Sequence, residues 1–255
     1  MEKIDLINSY LDELFPEPKC ELNYSNDYEL LISIMLSAQS TDKRVNKVTS
    51  ILFDKYKSLE ALNEAKIDDL ENIIRSVGSF RKKSQYIKDI ASTLITKYNG
   101  VVPRNHDLLV EINGIGRKTA NVFLSEYYNE PYIAVDTHVS RVSKRLGLAR
   151  KNDDVLTIEK KLQKKFDKSL WAKRHLQMVL FGRYKCKAIS PLCSDCKLKD
   201  ICKEKKKIWF FFFYTPGSPP GVIISPPPSP PPGVSGSSGL LGFSITSSVW
   251  GVVYT

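Results

Sequence analysis

The sequence predicts an all-α fold. Apolar residues recur at three- and four-residue spacing through most of residues 1–207, and no long alternating strand pattern competes with them. The same stretch holds only five prolines and six glycines, few enough to leave long helices intact between them.

The chain opens MEKIDLINSYLDELF, where acidic and apolar residues mix as on an amphipathic helix. Residues 28–38, YELLISIMLSA, are apolar nearly all round and predict a buried central helix ending at the polar Gln39-Ser40-Thr41-Asp42. Ile67, Leu70, Ile73 and Ile74 mark a further helix, as do Ile87, Ile90, Leu94 and Ile95; these stripes are core. Leu108, Leu109 and Ile112 predict another, which Asn113-Gly114-Ile115-Gly116 breaks before Lys118 to Leu124 resumes: helix, tight hairpin, helix. A last stripe runs through Val155, Ile158, Leu162 and Phe166. Gly78, Gly100 and Gly147 fall where helices should stop, with Pro103 and Pro131 in the joins. The chain thus divides into a bundle of short helices over residues 21–130, with the hairpin at about 105–128, and a second helical unit after it.

At residue 208 the composition changes. The last 48 residues carry nine of the fourteen prolines and no Lys, Arg, Asp, Glu or His. Proline clusters at 226–232 favour extended polyproline structure and the rest is Ser/Gly-rich with short apolar runs, so residues 208–255 read as a disordered or non-native extension without a catalytic role. Over the whole chain, Lys plus Arg is 38 against 28 for Asp plus Glu, and a formal charge of +10 points towards polyanionic partners. No basic start leads into an apolar run, and neither a secretory signal nor a membrane span is expected.

Three stretches carry chemistry. The first is the hairpin: glycines around one apolar residue suit a turn with positive φ that leaves backbone N–H groups pointing out at a helix start, a phosphate site to which Arg117 and Lys118 add charge. Gly114, Gly116 and Arg117 are therefore assigned to a nucleic-acid backbone held without base reading. Lys118 beside Arg117 has its ammonium form disfavoured, and a neutral amine there is a nucleophile able to form a Schiff base. The second is Ala134-Val135-Asp136-Thr137-His138-Val139, where Asp136 opens a helix as an N-cap and also suits holding a cationic intermediate or taking a proton; His138 reads as a packed histidine. The third is Cys186, Cys193, Cys196 and Cys202, spaced C-x6-C-x2-C-x5-C, poor as a disulfide framework and good for a tetrahedral zinc or an iron–sulfur cluster in a reducing, intracellular compartment. Lys185, Lys187, Lys197, Lys199 and Lys203 flank it as a basic face, while Cys20 stands apart as an ordinary thiol.

Together, INGIGRKTANVFL, IAVDTHVSRVSKRLGLA, LLISIMLSAQSTDKRVNK and the four-cysteine loop resemble the endonuclease III family, over roughly residues 1–205. These are bifunctional DNA glycosylases with abasic-site lyase activity in the helix-hairpin-helix superfamily. The resemblance implies two helical lobes, with residues 1–20 joining 131–207 in the cluster lobe and the active site between the lobes. It implies that Lys118 is the Schiff-base nucleophile, Asp136 the catalytic carboxylate, the four cysteines the ligands of a [4Fe–4S] cluster, and Gln39 the residue that fills the gap left by an extruded base. One position departs: Ser79 stands where the family usually offers a bulky apolar wedge, so Phe80 or a neighbour takes that place, or extrusion leans more on Gln39. Expected partners follow: double-stranded DNA with an oxidised pyrimidine or an abasic site, no membrane, a monomeric protein, and a cytoplasmic location, nucleoid-associated in a bacterium. The rival readings are a monofunctional glycosylase, against which Lys118 counts, and a non-catalytic helix-hairpin-helix DNA binder.

Overall fold

The computed structural model describes residues 2–204, so the proline-rich segment lies outside the described residues. Among the described residues the regular structure is all helical, as the periodicity predicts. In chain order the helices are α1 (Lys3–Leu14), α2 (Asp27–Ser37), α3 (Asp42–Lys55), α4 (Leu59–Glu64), α5 (Ile67–Ile74), α6 (Phe80–Tyr98), α7 (His106–Val110), α8 (Arg117–Tyr128), α9 (Thr137–Arg145), α10 (Val155–Lys165) and α11 (Trp171–Leu180). A 3₁₀ turn at Lys168–Leu170 precedes α11, and one π-helical turn at Phe181–Lys185 follows it.

Helix starts are written in the side chains. Asn26, Thr41, Ser58, Asn105, Asp136 and Asp154 each accept from a backbone N–H in the first turn that follows, satisfying donors with no intrahelical partner. Helix ends use positive φ: α6 closes through Asn99 and Gly100, whose N–H donates to the Leu94 carbonyl at 2.8 Å, and Gly147 turns the chain at φ 66° after α9.

Two apolar clusters form. The first draws on residues from Leu22 to Leu124 and wraps α2, whose residues 30–36 are all buried, so the helix that is apolar all round is central. The second gathers Ile133 to Leu198 around α9, α10 and α11, and takes in Ile7, Tyr10 and Leu11 of α1. Polar contacts fasten α1 there: Arg174 on α11 donates from both Nη atoms to the two Asp12 oxygens at 2.8 and 2.9 Å, and the fully buried Gln177 donates to the carbonyls of Leu11 and Phe15. The Arg174–carboxylate pair is bidentate, the geometry that gives such pairs both strength and direction.

Candidate active site

A cleft of about 570 Å³ opens between elements of the first cluster, namely α8 and the loop after α2, and elements of the second, α9 and α11. Lys118 and Asp136 both line it.

Lys118 is the second residue of α8 and is exposed. The hairpin fixes it there. Ile112 and Ile115 are buried and the Ile115 N–H donates to the Ile112 carbonyl at 3.0 Å, pinning the turn to the first core. Gly114 has φ 92°, and a Cβ built on it would meet the Tyr86 ring at 2.5 Å, so conformation and space both demand glycine. Gly116 does not share that conformation: its φ is −89°, and a Cβ there would meet nothing within 4 Å. It is open ground rather than a strained point. Arg117, expected to face phosphate, donates to Glu159 of α10 at 2.6 Å with just over half of its side chain exposed, so it also ties the hairpin to the second core.

Asp136 caps α9, its Oδ1 accepting from the Val139 N–H at 2.7 Å. The ordinary helix-start role and a place in the cleft are therefore held by one side chain. His138 also borders the cleft, its Nδ1 3.1 Å from Arg141 Nη2.

Facing both is a group that sequence reasoning missed. His175 on α11 lines the cleft with only 4% of its surface exposed, and its Nδ1 has no hydrogen-bond partner. Burial, reinforced by the charges of Lys118 and Arg183, pushes its pKa down to about 4 against the pull of Asp136 and the Ala134 backbone, so the ring is neutral near pH 7. Nothing in A-K-R-H-L-Q-M marks it, because α11 buries Arg174, His175 and Gln177 alongside its apolar residues. Arg183, also on the cleft wall, donates to both Glu21 and Asp42 and joins the two sides at the mouth. Cys20 lies in the wall as well, its thiol pushed up to about 12 mainly by burial and thus inert.

Gln39 is exposed on the cleft rim at φ 57°. Ser79, at φ 58°, is exposed at the head of α6, whereas Phe80 is half-buried against the first core with the Arg81 guanidinium 5.1 Å from its ring centre.

The four cysteines line one apolar recess with Leu146, Phe181 and Leu198 beside them. Arg145 of α9 fastens this loop by donating to the Lys187 carbonyl at 2.6 Å and to the Cys186 Sγ at 3.4 Å. Four soft donors in a recess shielded by apolar side chains, with a guanidinium beside one sulfur, fit a thiolate-bound metal centre. Among the described residues no three Cys, His, Asp or Glu side chains converge closely enough to hold a single metal ion. Of the flanking lysines, Lys185 pairs with Asp195 and Lys197 with Glu13, which takes part of the basic face into local ion pairs.

Both the sequence and the helical fold of this chain are similar to those of known proteins. Residues 32–168 match the family model described as HhH-GPD superfamily base excision DNA repair protein, which places the chain in that class. The chain is 44% identical to endonuclease III of Bacillus subtilis (strain 168) over 207 residues, covering 81% of this chain and 94% of that protein. It is 41% identical to endonuclease III of Haemophilus influenzae (strain Rd) over 198 residues, covering 78% and 93%. A solved structure of a trapped endonuclease III–DNA covalent intermediate superposes with a TM-score of 0.76 at 46% identity, covering 80% of this chain and 96% of that one. The chain belongs to the endonuclease III family, base-excision DNA glycosylases with abasic-site lyase activity. A thermostable thymine-DNA glycosylase, 19% identical with a TM-score of 0.70, shares the fold.

Proposed function

We propose that this chain removes oxidised pyrimidines from double-stranded DNA and nicks the strand at the resulting abasic site, with Lys118 as nucleophile and Asp136 as its carboxylate partner. The observation that carries the reading is that the two side chains, from helices of different cores, line one cleft of about 570 Å³, room for a nucleotide swung out of the duplex.

The chemistry balances on these two groups. The Lys118 ammonium first gives up a proton, for which the Asp136 carboxylate is an acceptor, and the neutral amine attacks C1′. As the Nζ–C1′ bond forms the glycosidic bond breaks, the departing base takes the electron pair and a proton, and the sugar opens to an iminium. Asp136 opposes the positive charge that builds on the sugar. The iminium is an electron sink: loss of a proton from C2′ expels the 3′ phosphate and cuts the strand. His175 stays neutral beside them, adding a polar wall with no competing charge.

Gln39 fills the gap left by the extruded base. Phe80 is anchored in the first core and Ser79 is short, so Gln39 carries most of this work. The backbone N–H groups around Gly114 to Arg117 hold phosphate, where the open space at Gly116 lets the backbone of DNA approach. The helix bundle spans residues 21–130 and the cluster lobe 1–20 with 131–207, the two apolar clusters supporting that division. Cys186, Cys193, Cys196 and Cys202 hold a [4Fe–4S] cluster; when bound it supplies structure to the loop rather than a step in the reaction. Visible charge-transfer absorption, lost on Cys186→Ser, tests this. The chain works as a monomer on DNA in the cytoplasm; separately, no helix among the described residues is long and apolar enough to cross a membrane.

Borohydride trapping tests the central claim. Reduction during reaction with a duplex carrying one thymine glycol should leave a covalent complex with the wild-type chain and none with Lys118→Ala. Trapping that survives the substitution overturns the assignment of the nucleophile; no trapping by wild type that still binds the duplex overturns the lyase reading.

A further inference from the structure

Of the five non-glycine residues held in the left-handed region among the described residues, two on the surface are Gln39 at φ 57° and Ser79 at φ 58°. Each such conformation is strained for a residue with a Cβ and persists only where the surroundings over-determine it. The two sites abut. Gly78 comes so close to the first loop that a Cβ on it would lie 3.4 Å from the Gln39 carbonyl oxygen.

One residue fastens both. The backbone N–H of Lys83 donates to the Ser79 carbonyl at 3.1 Å, closing the first turn of α6. Its side chain runs the other way, and Nζ donates to the carbonyls of Leu36 at 2.9 Å and Ala38 at 2.5 Å, on either side of the last residue of α2. Lys83 is 6% exposed, and burial lowers its pKa. Its partners are main-chain carbonyls, with no ion pair to a carboxylate among the described residues. A buried cation without a counter-charge is costly unless fixed dipoles meet it, and the negative end of α2 is where Lys83 lies. An ammonium is suited to this because it presents three donors in different directions.

We propose that Lys83 is a positioning residue for base extrusion: it locks the Gln39 and Ser79 loops into one rigid edge, so that Gln39 enters the space vacated by the displaced nucleotide. The inference rests on the gap-filling role given to Gln39 above. Without the ammonium, the Leu36 and Ala38 carbonyls lose their partner in the interior. The cheapest relief is rotation about the 38–39 peptide, which lets Gln39 leave the left-handed region and turns its side chain elsewhere.

The test compares two substrates under single-turnover conditions, with melting followed by circular dichroism. One is an intact duplex with a thymine glycol; the other is a duplex whose abasic site faces a one-nucleotide gap, where no stacked partner strand has to be supported. Lys83→Met should melt as a folded protein and slow excision on the intact duplex by roughly tenfold to a hundredfold, the range for misplaced groups. On the gapped duplex it should stay within about twofold of wild type. Gln39→Ala should show the same split, the double variant should be no slower than the slower single one, and Lys83→Arg should recover most of the rate. A folded Lys83→Met with the wild-type rate on the intact duplex overturns the proposal, as does equal loss on both substrates or a double variant whose losses multiply. If Gln39→Ala slows excision while Lys83→Met does not, the proposal for Lys83 alone fails. If Gln39→Ala is itself silent, the role of Gln39 has failed and takes the proposal with it.

Discussion

Asp136 serves two purposes that substitution can separate. Its Oδ1 caps α9 at 2.7 Å from the Val139 N–H, and it lines the cleft in which the proposed reaction takes place. Asparagine keeps an oxygen in the capping position and is as good an N-cap as aspartate, so Asp136→Asn should change stability by less than about 0.5 kcal/mol. Alanine keeps neither function: losing the cap costs about 1 kcal/mol, which for a chain of this size lowers Tm by about 2–4 °C. Catalysis should treat the two variants alike. Removing one pre-organised charge from a transition state of this type costs ~10²–10³ in rate, or about 2.7–4 kcal/mol at 1.36 kcal/mol per decade. Thermal melts give the first quantity and single-turnover excision of thymine glycol the second. The reasoning is refuted if Asp136→Asn melts as low as Asp136→Ala, which would mean that the charge and not the cap holds α9. An Asp136→Asn chain that excises at the wild-type rate refutes the catalytic half.

The clasp between α1 and α11 is a second target. Asp12→Ala leaves the Arg174 guanidinium, 4% exposed, without its carboxylate; because Asp12 is 39% exposed the loss is less than for a fully buried pair, about 2–3 kcal/mol, or a Tm drop of about 4–12 °C in a melt. Hydrogen bonds chiefly from Arg174, then from Lys173 and Gln177, hold the Asp12 carboxyl well below the usual carboxylate range. A depressed folded-state pKa contributes stability that is fully present above the unfolded value of about 4 and is lost as pH falls through the folded one, so urea midpoints of wild type and Asp12→Asn should converge only in strong acid. In the hairpin, Gly114→Ala combines a φ of 92° with a contact at 2.5 Å to Tyr86 and should destabilise by about 2 kcal/mol or more, whereas Gly116→Ala, at φ −89° with open space, should leave the melt unchanged to within about 0.5 kcal/mol. If the hairpin holds phosphate as proposed, Gly116→Ala should still weaken binding to a duplex, measured by fluorescence anisotropy, because the methyl group would stand where phosphate approaches.

The helices that the sequence declares are those whose apolar spacing is uninterrupted. YELLISIMLSA becomes α2 at the centre of the first core, and the stripe at 87, 90, 94 and 95 becomes α6. The hairpin was equally plain, since glycines between helical segments leave few alternatives. The opposite holds for α11, where Arg174, His175 and Gln177 are buried in a helix whose apolar stripe they interrupt; the partners of Arg174 and Gln177 are Asp12, Leu11 and Phe15, over 160 positions away, and local pattern carries no trace of them. Lys83 was hidden for the same reason, because a buried lysine satisfied by carbonyls reads in sequence as one more surface charge between Arg81, Lys82 and Ser84. Arg117 shows the limit from the other side: its type and place pointed to phosphate, but its pairing with Glu159 depends on how two distant helices meet.

The pinning of α1 into the second core bears on the order in which the molecule is made. Residues 22–124 supply the whole first cluster from one continuous stretch and can condense while synthesis continues. Ile7, Tyr10 and Leu11, made earlier, must wait for α9 to α11 before they find anything to cover them. The earliest helix is thus among the last to settle, and until it does its apolar face is open to chaperones and to other chains. The Asp12–Arg174 contact closes a loop over a sequence separation of 162, the kind of non-local contact whose loop-closure entropy is met before its hydrogen bonds are gained.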